Sequence, residues 1–195
     1  VIIYLTRHGQ TTGDIENRYG GDYDDHLTDT GKEQSTQLAE KLSDKGIRLL
    51  FASPRIRAKE TAAVIAKRLG LVASTFDDFR ERNGYGILTG MTKDEALLKY
   101  PDQVEILKDV HAAVEDAEEY VPFQQRITNA LATISQEQAD KVAVVTHGGP
   151  IRLIFRDILK LGEIDVDDCA FAVIEANNGS YTLLDKSGIT VKDQQ

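Results

Sequence analysis

Apolar residues along this chain follow two rhythms. Short, nearly continuous runs occur at Val1–Thr6, Leu49–Ala52 and Val142–Thr146, as in buried strands, and Val72–Phe76 is a further strand candidate. Between them the spacing changes to that of helices with one buried stripe. Leu38, Ala39 and Leu42 share one face of a helix, which Thr30-x-x-Glu33 opens as a capping box and Gly46 ends. Ala58, Ala62, Ile65 and Leu69 mark the inner face of a helix from about Arg57 to Leu69. Phe123, Ile127, Ala130, Leu131 and Ile134 mark that of a longer one. Weaker helical patterns cover Thr92–Tyr100 and Val104–Ala117, and Phe79–Gly90 reads as a loop. Gly148-Gly149-Pro150 leads into a helix ending near Leu161. Two later runs, Ala170–Ala176 and Tyr181–Leu184, flank Asn178-Gly179, a pair suited to a two-residue hairpin turn.

Strands alternating with helices predict a three-layer α/β/α sandwich, with a mostly parallel mixed sheet and an antiparallel edge strand. No repeat or linker divides the chain, so residues 1–195 are expected to form a single domain. Ligands in such sheets bind beyond the carboxyl ends of the strands.

Two strand ends carry the same signature. The first strand ends in Thr6-Arg7-His8-Gly9 and the late one in Thr146-His147-Gly148-Gly149. If those strands are neighbours, both imidazoles meet in one crevice with Arg7 beside them. A phosphoryl group is a polyanion, and fixed cations and oriented N–H donors stabilise it as charge shifts during transfer. Arginine supplies forked, permanently charged donors, and glycine admits the backbone closely. Histidine, with an ordinary pKa of roughly 6.5, serves either as a neutral nucleophile or as a charged donor.

Five blocks in order strengthen this picture. They are Arg7-His8-Gly9-Gln10-Thr11; Glu16 to Gly21 with Leu27-Thr28 and Gly31; Ser53-Pro54-x-x-Arg57-Ala58-x-x-Thr61-Ala62; Glu81-Arg82 before Gly86-x-Leu88-Thr89-Gly90; and Thr146 to Pro150. Together they resemble the histidine phosphatase superfamily, which includes the phosphoglycerate mutases. The resemblance implies a phosphoglycerate mutase-like fold with residues 91–125 as a helical cap segment over the site. It implies that His8 is the nucleophile that becomes phosphohistidine. Arg7, Arg57 and His147 clamp the phosphoryl oxygens, with Asn17, Thr11 and Gly148 as further phosphate contacts. Glu81 protonates the leaving oxygen and then activates water. Asp14, Gly20, Gly21 and Tyr85 are candidate substrate contacts. Asp14 departs from the family pattern, because many members have Asn there and an ionised carboxylate donates no hydrogen bond. The mechanism implied needs no metal and no cofactor.

Bulk properties narrow the partners. With 32 acidic and 23 basic side chains the formal net charge is -9, which argues against nucleic acid or an anionic membrane as partner. An anionic substrate must find a locally basic pocket. The lone Cys169 makes no internal disulfide, and Val1–Thr6 is too short for a secretory apolar core; both point to the cytoplasm. His26 and His111 read as ordinary surface residues, and Cys169 as a small buried side chain. The expected activity is hydrolysis of a small phosphomonoester. From Met91 to Gln125 there is no Arg, only Lys93, Lys99 and Lys108, which favours transfer to water over the bisphosphate handling of a cofactor-dependent phosphoglycerate mutase. A non-catalytic regulator that binds a phosphorylated ligand is the alternative from another class. Oligomeric state is left open, a homodimer being one option.

Overall fold

Residues 1–192 of the computed structural model are described, and among them six strands form one sheet in the order β3-β2-β4-β1-β5-β6. The strands are β1 (Ile2–Arg7), β2 (Leu49–Ala52), β3 (Ala73–Thr75), β4 (Lys141–Thr146), β5 (Ile164–Asn177) and β6 (Ser180–Val191). The helices are α1 (Thr12–Ile15), α2 (Asp29–Leu42), α3 (Ile56–Leu69), α4 (Lys93–Lys99), α5 (Pro101–Ile106), α6 (Tyr120–Ile134) and α7 (Gly148–Leu153). Strands β1 to β4 pair in parallel, whereas β5 runs antiparallel to β1 and to β6. This is the mixed α/β arrangement that the alternating pattern predicts.

Alternation along the central strands divides the core in two. Ile3, Leu5, Val142 and Val144 face α6 and α7, packing with Phe123, Ile127, Leu131, Ile151 and Phe155. Tyr4, Ala143 and Val145 face the other way, onto Leu38 and Leu42 of α2 and Ala58, Ala62 and Ile65 of α3. Burial of such side chains stabilises the fold by roughly 1.5–3 kcal/mol each. A third, small cluster of Leu88, Ala96 and Val114 ties α4 to the segment before it.

Three expectations are corrected. First, α2 is capped by Thr28, whose hydroxyl accepts the Gly31 N–H at 3.0 Å, so Thr30 lies inside the helix. The Thr28 N–H is held by the Gln10 carbonyl, which fixes the chain entry two residues earlier. Second, the helix expected over Val104–Ala117 ends at Ile106. Beyond it the Arg82 guanidinium takes the carbonyls of Val110, Ala112 and Glu118, and a tertiary donor thereby overrides a weak local propensity. Third, β5 and β6 extend well past their apolar runs. A register shift between Val166 and Phe171 puts Cys169 at φ 53 and lets the ladder resume on the near side. The Asn178-Gly179 turn forms with both residues at positive φ, as expected.

The loop after β1 crosses the start of α2 at backbone contact. A methyl group on Gly31 would lie 2.1 Å from the Gln10 carbonyl oxygen, and one on Gly9 2.5 Å from that of Gly31. Only glycine pairs allow this crossing, which seats the His8 loop. We expect Gly31→Ala to cost about 1–3 kcal/mol in denaturant melts through forced backbone displacement. Gly20→Ala, with open space around it, should stay within about 0.5 kcal/mol. Equal effects from the two would contradict this account of the crossing.

Candidate active site

Strand order places the chemistry. In the parallel β1–β4 register Arg7 lies opposite Thr146, and in the β2–β4 register Ala52 lies opposite Val145. The next residues, His8, His147 and Ser53, therefore emerge side by side at the carboxyl ends of three adjacent strands. All three are buried. The His8 and His147 rings meet edge-on, with centroids 5.1 Å apart.

Hydrogen bonds define the proton on each ring. His8 Nδ1 lies 2.8 Å from the Gly9 carbonyl. A carbonyl only accepts, so Nδ1 carries the hydrogen and Nε2 keeps its lone pair. That lone pair accepts the Arg57 Nε–H at 3.1 Å. His147 Nε2 lies 2.7 Å from the Ser53 hydroxyl, which itself accepts the Arg55 N–H at 3.3 Å. Ser53 Oγ has no other acceptor for its hydrogen among the described residues, so the tautomer that satisfies it has the hydroxyl donating to His147 Nε2, and His147 Nδ1–H is then a buried donor without a protein partner among the described residues. Arg7 Nε is a second such donor. Burial, followed by the charge of Arg57, holds both imidazoles well below the usual histidine pKa.

The cations are fixed from behind. Arg57 lies on the first turn of α3 and is itself buried. Its Nη1 donates to the Tyr23 carbonyl at 2.7 Å and to Asp25 at 3.1 Å, and its Nη2 to the Gly21 carbonyl at 3.0 Å. Asp25 is equally buried and also accepts the Gly13 N–H at 3.1 Å. Arg7 at the end of β1 donates to the Val166 carbonyl at 2.7 Å and pairs with Asp168 at 3.2 Å. Glu81 is held by two backbone donors, the Arg82 N–H at 2.8 Å and the Gly149 N–H at 3.0 Å. A methyl on Gly149 would lie 2.0 Å from Glu81 Oε1, so glycine is what lets the carboxylate approach α7.

These groups line a cavity of about 270 Å³. It brings together Arg7, His8, Arg57, Glu81, Gly148, Thr11, Asp14, Gly20, Gly21 and Tyr85; His147 lies against His8 beneath it. Asn17 is not brought in. It is exposed, lies at φ 55 in the turn after α1, and does not line this cavity. Thr11 and Asp14 line the cavity but spend their polar atoms on each other. The Thr11 hydroxyl donates to Asp14 Oδ2 at 2.9 Å and accepts the Asp14 N–H at 3.1 Å, forming the capping box of α1. Asp14 Oδ1 is left 4.0 Å from Arg7. Asp25, Ser53, Asp168, Arg18, Lys93 and Arg152 escaped the sequence reading. Ser53 and Arg18 stood inside the sequence blocks without an assigned role, Lys93 only as one of the cap lysines, and Asp25, Asp168 and Arg152 carry no local signal. Cys169 is no nucleophile, since burial pushes its thiol up to about 11. His26 and His111 are exposed, away from the cavity. Among the described residues no three His, Cys, Asp or Glu side chains converge as a metal-ligand set, and no helix is long and apolar enough to cross a membrane.

The chain is similar to known proteins in sequence and in fold. The family model described as histidine phosphatase superfamily (branch 1) matches residues 3–187. The chain is 32% identical over 157 residues to the uncharacterized phosphatase PhoE of Bacillus subtilis, covering 80% of this chain and 76% of that one. It is 30% identical over 172 residues to a 2,3-bisphosphoglycerate-dependent phosphoglycerate mutase of a Methylobacterium species, covering 78% of each. Bacillus stearothermophilus YhfR shares the fold with a TM-score of 0.84 at 24% identity, over 93% of this chain and 94% of that one. With the match running through every strand of the sheet, the chain belongs to the histidine phosphatase superfamily.

Proposed function

We propose that this histidine phosphatase hydrolyses a small phosphomonoester through a phosphohistidine on His8, without a metal ion. The observation that supports this most strongly is a neutral His8 on the wall of a cavity lined by Arg7, Arg18, Arg57 and Arg152, its Nε2 lone pair taken only by the Arg57 Nε–H, with the partnerless donors Arg7 Nε and His147 Nδ1 beside it. An entering phosphoryl oxygen replaces His8 Nε2 as acceptor of the Arg57 Nε–H, and Arg7 Nε and His147 Nδ1 take further oxygens. His8 Nε2 then attacks phosphorus, the bond to the leaving oxygen breaks, and the Glu81 carboxyl group serves as the general acid that supplies that oxygen's proton. In the second step Glu81 takes a proton from water, the water oxygen attacks phosphorus, and His8 is released together with inorganic phosphate. Charge on the transferring group is balanced by guanidinium and imidazole donors already fixed in place, so little reorganisation accompanies the reaction.

Hydrolysis is favoured over mutase chemistry by the cap. The segment from Met91 to Gln125 contributes Lys93 to the phosphate cavity and contains no Arg. A small substrate, no nucleic acid partner and a cytoplasmic setting complete the reading, and the acidic body (net charge -9) leaves the cavity as the basic spot an anion would find.

A phosphoester panel run with a chelator in excess tests this reading. Phosphate release should survive chelation and fall by about 10³-fold or more in His8→Ala, as expected when a nucleophile is removed. Loss of activity on chelation, or isomer interconversion faster than hydrolysis, would overturn it. The protonation states are checked separately by long-range imidazole ¹H–¹⁵N spectra at pH 6. The depressed pKa values of His8 and His147 predict two neutral rings in the Nδ1–H form, while His26, whose pKa the hydrogen-bonded Glu60 carboxylate raises, is mostly charged. Ser53→Ala should erode the single tautomer of His147. An imidazolium at His8 at that pH would contradict the nucleophile assigned to it.

A further inference from the structure

Beside the phosphate cavity lies a second hollow of about 260 Å³. Glu81, Tyr85 and Arg152 line both. The carboxyl group that faces the leaving oxygen is therefore also a wall of the next chamber. Leu107, Val110, Ala112, Tyr120 and Phe123 give the chamber apolar walls with two aromatic rings, and Lys108, Asp109 and Glu163 also line it; Lys108 is paired with Glu105 at 2.7 Å and Glu163 with Arg156 at 3.0 Å. Its volume lies just below the roughly 300–1,000 Å³ common for pockets of drug-sized ligands, which suits a small alcohol part.

The cations around this hollow are not equivalent. Arg82 is consumed by the carbonyls of Val110, Glu118 and Ala112 at 2.7, 2.9 and 3.1 Å. Arg156 is consumed by Asp157 at 3.1 Å, Glu163 at 3.0 Å and the Tyr120 hydroxyl. Arg152 makes no hydrogen bond or ion pair with any described residue. Its guanidinium sits against the Gly148 Cα, where a methyl group would lie 2.5 Å from Nη1. Glycine at 148 thus seats a partnerless guanidinium on the wall between the two hollows. A planar fork of N–H donors held there matches a carboxylate.

We propose that the second hollow takes the alcohol part of the substrate, and that Arg152 selects monoesters whose alcohol part is a compact apolar body, aromatic in the best case, bearing a carboxylate. This rests on the phosphatase reading above and adds the substrate class. The phosphoryl group would sit on His8, the ester oxygen at Glu81, the apolar body against Tyr120 and Phe123, and the carboxylate on Arg152. The monoester differs from a plain alkyl or aryl phosphate in placing a carboxylate on Arg152.

A matched pair of esters tests it on the full chain. We expect kcat/KM for 4-carboxyphenyl phosphate to exceed that for 4-methylphenyl phosphate by at least about tenfold, the scale of a hydrogen bond to a charged group. In Arg152→Gln that ratio should fall toward one, with Arg152→Lys between. A ratio of two substrates on one preparation does not depend on how much of the variant is folded. A wild-type ratio near one, or equal losses on both esters in Arg152→Gln, would overturn the inference while leaving the phosphatase reading intact. Hydrolysis of neither ester by the wild type, nor of any other on the panel, would overturn the phosphatase reading and this inference with it.

Discussion

The in-register parallel pairing of β1 with β4 is the constraint on which the site depends. Side chains alternate along a strand with a period of two, so a slip of one residue would send the core set of one strand to the wrong face. The apolar alternation of Ile3 and Leu5 against Tyr4, matched by Val142 and Val144 against Ala143 and Val145, locks this register. Once it is locked, the residues after Arg7 and Thr146 have nowhere to go but side by side. The two imidazoles meet because the core requires it, and the chemistry takes advantage of a position that packing has already fixed.

Around that pair the protein holds charge in place at a cost. Arg57 and Asp25 are both buried, and desolvating such a pair is expensive unless every remaining donor finds an acceptor. Here the carbonyls of Gly21 and Tyr23 and the Gly13 N–H supply those partners. Arg57 is thereby held with Nε toward His8. The same loop that carries these carbonyls crosses α2 through Gly9 and Gly31, so the clamp is anchored to the sandwich by backbone contact. Fixed donors facing a buried neutral imidazole are the state in which transfer to His8 needs little rearrangement.

The sheet was legible because its central strands are short, apolar and bounded by turns, and because α3 and α6 show one clean stripe each. The extent of β5 and β6 was not, since their edge residues alternate with polar ones and a bulge at Cys169 breaks the period. The helix read over Val104–Ala117 failed because Arg82, distant in sequence, captures the carbonyls that a helix would need. Within the site, His8, Arg7, Arg57 and His147 were readable as glycine-flanked strand ends and motif residues. Asp25 and Arg152 were not, for their importance lies in what they face across the fold. Asn17 stands in a left-handed turn, exposed and outside the lining of the cavity.

The central claim is that phosphorus passes through one nitrogen atom. Rapid quenching of turnover under alkali, followed by peptide mapping and ³¹P spectroscopy, reads this directly. The account predicts an acid-labile, alkali-stable phosphoryl group on Nε2 of His8, formed and consumed at the rate of turnover. A phosphoryl group on His147 instead, or turnover with no phosphoenzyme on any histidine, would contradict it.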